Sequence, residues 1–569
     1  MDKLEALRHT CAHILAHAVR RLYPQALPTI GPTIENGFYY DFYNLNIKEE
    51  DLPKIEAEMH KIIKENHKLK RLEKSKKESE AFVRNNRFKQ EILKDLKEGE
   101  VSFYEQGDFI DLCRGGHLES TGDVKAVKLL KTAGAYWRGD AKNPQLTRIY
   151  GTAWNTEKEL RVYLHNLEEA EKRNHIKLGK DLNLFHFHEE SPGAPFFYPK
   201  GTIIYSELVN FIREEYQKRG YQEVITPLLY DKSLWMTSGH WEHFKDDMFI
   251  QQVDGREFSL KPMNCPSHCL IYSTNSHSYR ELPIRIADFA ALHRNEIRGA
   301  LHGLIRTRKF SQDDSHIFCR EDQIEQEVSD LLDFAKKVFT DTFKMKYQMV
   351  LSTRPEKAMG DIKLWEKAEH TLEAMLKKHK IDYKINKGDG AFYGPKIDLL
   401  VEDLLGRKWQ LSTIQLDFQM PRRFNIFYID EKDNKCHPVM IHKAILGSLE
   451  RFIGVITEHF AGKFPLWLNP EQVRIMTVTN RNDDFAKSIF NKLKENRIRV
   501  KLDDSNETIS KKVRDAQLEK VNYMITIGDK EVENKTLAIR TRDGKITFGV
   551  KTDAFISQLR EEIEKRVLN

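Results

Sequence analysis

Cysteine is scarce: six residues in a chain of 569, with no dense or regular spacing. That scarcity excludes a disulfide framework and leaves each thiol as buried filler or as a metal ligand. Long apolar runs are missing as well. None reaches the roughly 18 residues that a membrane-spanning helix needs, and Lys3, Glu5, Arg8, His9 and His13 interrupt any apolar leader core near the start. Charge of one sign is also lacking, since the net charge is only +6, which permits a nucleic-acid partner without demanding one. Internal repeats and low-complexity tracts are absent. What remains, at 40% hydrophobic and 31% charged residues, is an ordinary globular composition. The length allows about three or four domains. A reduced, cytoplasmic chain with no membrane partner is expected.

Apolar residues recur at helical spacing from Leu4 to Leu22, and Gly31-Pro32 and Asn36-Gly37 mark turns before the β-favouring Phe38-Tyr39-Tyr40. Residues 51–98 read as charged amphipathic helices, with Ile55, Met59, Ile62 and Leu69 at helical spacing. Turn-rich, aromatic sequence from Phe103 to Trp154 predicts short strands and loops, and Thr156 to Lys177 predicts a charged linking helix. From Leu184 to Trp467, helical stretches such as Ile203 to Lys218 alternate with short β-like runs. Beyond Pro470 the pattern predicts strands starting at Val473, Ile498 and Tyr523 interleaved with helices starting at Asp483 and Ile509, a compact α/β arrangement. Most of the excess positive charge lies there. The expected organisation is a multidomain α+β chain divided at 1–155, 156–180, 181–468 and 469–569.

Three potential metal ligands stand far apart, each in a segment that carries phosphate-binding chemistry. Cys265 lies in Lys261-Pro262-Met263-Asn264-Cys265-Pro266-Ser267-His268, His316 in the run from Leu292 to Cys319, and His442 ahead of a helix-like stretch through Arg451. A thiolate and two imidazoles leave a fourth position open on zinc, the ligand count of a catalytic site. Singly, each is more often a buried thiol or a hydrogen-bonded core histidine. Their joint occurrence beside Arg294, Glu296, Arg306 and Arg451 points instead to a metal that holds a small substrate next to a nucleotide. A local cluster of Cys265, His268 and Cys269 has awkward geometry beside Pro266. Leu292 to Phe310 predicts two strands joined by a turn containing Gly299 and Gly303, with arginines on both arms facing one ligand. Fixed guanidinium donors suit the charge that builds on an α-phosphate. Phe310 and Arg451 are placed to sandwich a purine.

These segments are similar to those of class II aminoacyl-tRNA synthetases, specifically the threonyl-tRNA synthetase family. Gly220 to Pro227 resembles the dimer-forming motif, Leu292 to Phe310 the ATP-binding loop, and Gly447 to Arg451 the third motif. Lys261 to His268, Ser311 to Cys319 and Gly390 to Lys396 match further, and the likeness covers nearly the whole chain. The resemblance implies an antiparallel-sheet catalytic core between an N-terminal α+β editing domain and a C-terminal α/β anticodon-binding domain. It implies a homodimer with one Zn2+ per subunit on Cys265, His316 and His442, completed by the amino and hydroxyl groups of L-threonine. Asp314 would accept from the hydroxyl, Tyr393 would meet the amino group, and Gln312 and Arg294 would take the carboxylate. ATP contacts fall to Arg294, Glu296, Arg306, Phe310, Lys396, Gln410, Ser448 and Arg451, with Arg294, Lys396 and Arg451 as the catalytic cations and Mg2+ bridging phosphates. Threonyl adenylate would form first, and its acyl group would pass to tRNA(Thr).

A zinc ion that binds an amino alcohol rejects valine strongly, yet serine lacks only a methyl group, worth about 10 to 200-fold. A second, hydrolytic site for seryl-tRNA follows. His13 and His17, four apart on a helical pattern, share a face, and Cys113 and His117 lie in Asp111-Leu112-Cys113-Arg114-Gly115-Gly116-His117. With Lys89 and Asp111 this set resembles the editing domain of bacterial threonyl-tRNA synthetases. His9 extends the same row, though it reads more readily as an exposed histidine. The two His and the Cys/His pair fit a closed zinc site or metal-free ester hydrolysis. Glu531 and Arg540 match anticodon contacts in the family. Departures from the family pattern are a start directly at the editing helix, Gly116 in place of proline, Ser267 in place of glycine and Lys309 in place of glycine. A nonenzymatic RNA-binding regulator and a stand-alone deacylase are the competing classes, and intact Arg294, Arg306 and Arg451 argue against the first.

Overall fold

The computed structural model describes residues 2–97, 99–140, 142–404 and 406–568. They form two compact units, Met1–Glu168 and Glu169–Asn569. The division falls in the helix Glu157–Lys172, within the charged stretch that predicts a linker.

The first unit is built on the helix Lys3–Leu22, whose Leu7, Cys11, Ile14, Leu15, Ala18 and Val19 are buried. They enter one core with Phe38, Tyr40 and Phe42 of the strand Gly37–Tyr43 and with Ile55, Met59 and Ile62 of the helix Leu52–Glu65. The sheet beneath runs Leu27–Pro28, Gly37–Tyr43, Gln145–Trp154, Ala126–Tyr136, all antiparallel. A second antiparallel sheet joins Leu69–Ser75, Glu100–Gln106 and Phe109–Leu112. Its first strand corrects the helical expectation for residues 51–98. The ladder to Glu100–Gln106 supplies backbone partners that local periodicity does not register, and Leu72 packs on Val83, Leu93, Val101 and Phe103.

An eight-stranded sheet organises the second unit in the order Gln222–Glu223, Ile284–Asp288, Asp314–Cys319, Val439–Ala444, Lys408–Asp417, Lys396–Glu402, Lys346–Ser352, Tyr383–Asn386. The outermost pair at each end is parallel and every inner pair antiparallel. The helices Pro199–Lys218, Ile324–Lys336 and Leu449–His459 bury Ile204, Leu208, Leu331 and Phe452 in its main core. The C-terminal sheet orders Val500–Asp503, Val473–Thr477, Tyr523–Ile527, Leu537–Thr541, Ile546–Val550. Its first three strands and the helices Asp483–Glu495 and Ile509–Leu518 match the predicted alternation closely. The helices Asp529–Asn534 and Thr552–Glu564 and the last two strands carry no equally strong pattern. No described helix is long and apolar enough to cross a membrane.

Candidate functional site

Sheet register brings the central ligands together. His316 and His442 lie directly opposite one another on neighbouring strands, and side chains two apart share a face. That face therefore holds Asp314 and His316 on one strand, His442 on the next, and Gln415 and Asp417 on the third, where Gln415 is paired with His442. Cys265 arrives from elsewhere, at the first turn of the helix Cys265–Ser273. The Sγ of Cys265 and one ring nitrogen from each histidine all lie within 4.8 Å of one another, and all three residues are buried. His316 Nε2 is 3.0 Å from His442 Nδ1, near the roughly 3.3 Å edge of a tetrahedron with Zn–N bonds of about 2.05 Å.

The surroundings orient these donors. Asp417 Oδ2 is 3.0 Å from His442 Nε2, so that nitrogen carries the proton and Nδ1 presents its lone pair to the centre. The other oxygen of Asp417 accepts from Gln419 N at 2.6 Å and Met420 N at 3.0 Å. His268 Nδ1 lies 2.7 Å from His316 Nδ1. Burial, and next the Asp314 charge, push the Cys265 thiol well above its usual range, so a thiolate here requires a cation. Asp314 accepts from Asn264 Nδ2 at 2.9 Å and has one oxygen 4.0 Å from His316 Nε2. Burial raises its carboxyl to about 6. Tyr393 stacks on His442 with ring centroids 4.5 Å apart and donates its hydroxyl proton to Gln415 Oε1. The donor set, its burial and its oriented lone pairs fit zinc. Local sequence had favoured no local cluster of Cys265, His268 and Cys269, and Cys269 Sγ instead meets Met440 Sδ at 3.8 Å.

The nucleotide-binding candidates belong to the same unit. Strands Ala291–His293 and Lys309–Ser311 pair antiparallel, as the two-arm reading of this segment expects. The Arg294 guanidinium lies over Phe310 at 5.1 Å. Arg306 pairs with Glu296 at 2.8 Å. Ser448 caps the helix Leu449–His459 by accepting from Arg451 N, and an isolated bridge joins it to Gln312. The buried Nε of Arg451 has no hydrogen-bond partner among the described residues, which suits a donor that awaits a ligand. Lys396 Nζ and Gln410 Nε2 both bind Asp398, at 2.6 and 2.8 Å. Sequence reasoning passed over Asp417, and it weighed His268 only as part of a local cluster, not as a partner of His316. It also passed over His240, which is fully buried with Nε2 3.8 Å from Cys265 Sγ.

In the first unit the structure assembles His9, His13, Cys113 and His117, with one ligand atom from each all within 4.8 Å. Cys113 Sγ is 3.3 Å from His9 Nε2 and 3.2 Å from His117 Nε2. His17, expected in this group, is elsewhere: its Nε2 is 2.7 Å from Asp108 Oδ1 and its Nδ1 3.0 Å from Gln106 Nε2. The reason is helical rise. At 1.5 Å per residue His17 sits about 12 Å along the axis from His9, past the reach of the Cys113–His117 loop. His9 takes its place. Buried Lys89 and Asp111 form an ion pair of 2.7 Å, and Tyr40 donates to Asp111. This pair lines both a cleft of about 980 Å³, shared with His9, His13 and Cys113, and a smaller one of about 620 Å³ that holds His17. Burial pushes His9, His13 and His117 below the usual histidine range and raises Cys113 to about 11. Neutral imidazoles of this kind can relay protons or close around a metal ion. Gly116 has φ +87°, which proline cannot adopt.

Of the two anticodon candidates, Glu531 has a local structural role. Glu531 Oε2 accepts from Gly528 N at 3.0 Å and so caps the helix Asp529–Asn534. Arg540 sits on the strand Leu537–Thr541, opposite Met524 and Ile546.

An antiparallel sheet with a two-armed arginine loop and a capped arginine-bearing helix at its face defines a class II aminoacyl-tRNA synthetase core. Residues 248–460 match the tRNA synthetase class II core domain (G, H, P, S and T), 472–562 the anticodon binding domain, and 101–150 the threonyl and alanyl tRNA synthetase second additional domain. The threonine–tRNA ligase of Acetivibrio thermocellus is 50% identical over 566 residues, 99% of this chain and 89% of that protein, and that of Clostridium novyi is 51% identical with the same coverage. Among solved structures, the RNA binding domain of threonyl-tRNA synthetase from Cryptosporidium parvum superposes with a TM-score of 0.67 at 44% identity, over 68% of this chain and 98% of that one. Prolyl-tRNA synthetase of the same organism, at 17% identity and TM-score 0.55, covering 69% of this chain and 77% of its own, shares the fold. The chain belongs to the threonine–tRNA ligase family, so it joins threonine to tRNA at the expense of ATP.

Proposed function

We propose that threonine is selected at a zinc ion held by Cys265, His316 and His442, activated against ATP on the arginine face, and proofread at the His9–His13–Cys113–His117 cleft. The observation that carries this reading is the convergence of one thiol and two imidazoles from three distant segments, with Asp417 fixing one ring and Asp314 beside the open side. Zinc bound there would supply a position for the amino and hydroxyl groups of the substrate. Asp314 discriminates by accepting the hydroxyl proton, and Asn264 holds that carboxylate in place. Tyr393, stacked on His442 and tied to Gln415, limits the pocket on the amino side. Arg294 and Gln312 are the candidates for the substrate carboxylate. Arg294, Arg306 and Arg451 stabilise charge at the α-phosphate, and Lys396 and Gln410, held by Asp398, extend that surface for ATP and its Mg2+. Phe310 presents the ring for the purine. Glu531 and Arg540 are assigned to the anticodon end of tRNA(Thr), where splayed single-stranded bases meet a sheet.

The protein works in the cytoplasm as a homodimer through the segment from Gly220 to Pro227. Ile225 is 92% exposed there, with Leu228 and Leu229 exposed just beyond, an apolar strip of the kind that an isologous interface covers.

Amino-acid-dependent exchange of pyrophosphate into ATP tests the selection. Threonine supports it best, serine about 10 to 200-fold less well, and valine about 10⁴-fold less or worse. Exchange with valine at the level of serine would remove the hydroxyl from the recognition scheme. Asp417→Asn is expected to weaken zinc binding by about 10 to 100-fold, because its amide no longer fixes the His442 tautomer as a carboxylate does. Competition with a chromogenic chelator measures this, and unchanged affinity counts against the assigned ligand atom.

A further inference from the structure

The turn that carries Arg306 is tied by a hydrogen bond to a buried imidazole. His175, at the start of the helix His175–Asp181, has no exposed surface. Its Nε2 accepts from Leu304 N at 3.0 Å, and its Nδ1 lies 2.6 Å from Glu458 Oε1. A backbone N–H can only donate, so Nε2 bears the lone pair and Nδ1 the proton. Glu458 also accepts from His175 N at 3.0 Å and from Arg407. It belongs to the helix Leu449–His459, two turns beyond Arg451. Leu304 belongs to the turn closed by the bridge between His302 and Arg306.

The approach is close enough to dictate neighbouring residues. A Cβ on Gly303, at φ +49°, would fall 2.2 Å from His175 Nε2, and one on Gly454 would meet Ile305 at 3.1 Å and Leu304 at 3.2 Å. Small residues on the turn and on the helix therefore admit the contact. There is also a reason for a fastening. Burial, and then the nearby Arg306 charge, lower the Arg451 guanidinium's affinity for its proton, so the two arginines lie near enough for their like charges to repel.

We infer that His175 is a positioning residue for ATP: through Leu304 and Glu458 it sets the spacing of the Arg306 turn against the Arg451 helix. The inference rests on the reading that Arg306 and Arg451 flank ATP. His175 touches no substrate and acts through the two elements that do. Misplacement of a binding group by about 1 Å can cost around 100-fold, so the effect falls on ATP rather than on threonine.

The test is pyrophosphate exchange with the full chain, with KM measured separately for ATP and threonine. His175→Asn keeps a donor for Glu458 but loses the acceptor for Leu304, and its ATP KM should rise about tenfold while threonine KM and zinc content change less than twofold. His175→Gln, whose amide oxygen reaches the Nε2 position, should recover most of the loss. Gly303→Ala drives a methyl into the imidazole and should give the same split, which keeps the test open if the His175 variants fold poorly. Arg451→Ala is the control. If it raises ATP KM while the Gly303 variant and any folded His175 variant leave it unchanged, the positioning role is overturned. If Arg451→Ala also leaves ATP KM unchanged, the ATP assignment itself fails.

Discussion

Cys265→Ser is expected to emerge from purification without zinc and to lose threonine-dependent pyrophosphate exchange by more than about 100-fold, beyond the 10 to 100-fold that losing an outer partner costs. Serine preserves the volume, so the helix Cys265–Ser273, with its own Tyr272, keeps its packing against Phe318 and Met440. The chemistry changes instead. A hydroxyl stays protonated at neutral pH and is a hard, weak donor, whereas the thiolate is soft and supplies the only negative charge among the three ligands. Without it, only the two imidazoles of His316 and His442 remain as donors in a buried site, with Asp314 and Asp417 nearby. Metal analysis, exchange kinetics and a melting curve together check the outcome. A lost metal with an unshifted melting curve and silent exchange is the expected pattern. Retained zinc and activity in the folded variant refute the ligand set. Hydrolysis of seryl-tRNA is expected to survive, because its residues belong to the other unit.

How much of this was legible beforehand depended on how local each signal was. The helices Lys3–Leu22 and Ile509–Leu518 and the strand Tyr523–Ile527 follow from periodicity, since their burial repeats along the chain itself. Leu69–Ser75 reads as helix because its sequence is charged and its stabilising partner, Glu100–Gln106, lies 25 or more residues on. The zinc candidates were legible as residue types in familiar segments. What sequence could not supply was the register that sets His316 across from His442, or the second strand step that brings Asp417 to His442. His240, and the contact of His268 with His316, were hidden for the same reason: they arise only through tertiary packing. On the helix of the first unit the ambiguity was geometric. His9, His13 and His17 are spaced four apart twice over, so either adjacent pair satisfies the same rule. Only the position of the loop through Cys113 and His117 selects the first pair.

That selection makes the second large effect specific. His13→Ala is expected to charge tRNA with threonine at nearly the parent rate while hydrolysis of seryl-tRNA falls by about 10² to 10⁴-fold, the usual contribution of a positioned acid or base. Serine presents the same hydroxyl and amine as threonine, so the synthetic site alone leaves it only about 10 to 200-fold behind, and mischarged product should then accumulate. His13 is buried and lies against His117, with ring centroids 4.4 Å apart, and it lines the cleft with Lys89 and Asp111. Its removal takes away a neutral imidazole at the wall where an ester would lie. His17→Ala is the contrasting variant. Its ring is occupied by Asp108 and Gln106 and stacks on Phe109 at 5.3 Å, so its loss should change hydrolysis by less than about tenfold. Deacylation of purified seryl-tRNA, measured beside threonine charging, separates the two. A large loss in His17→Ala with His13→Ala intact would move the hydrolytic centre to the smaller cleft, on the other side of the Lys89–Asp111 pair.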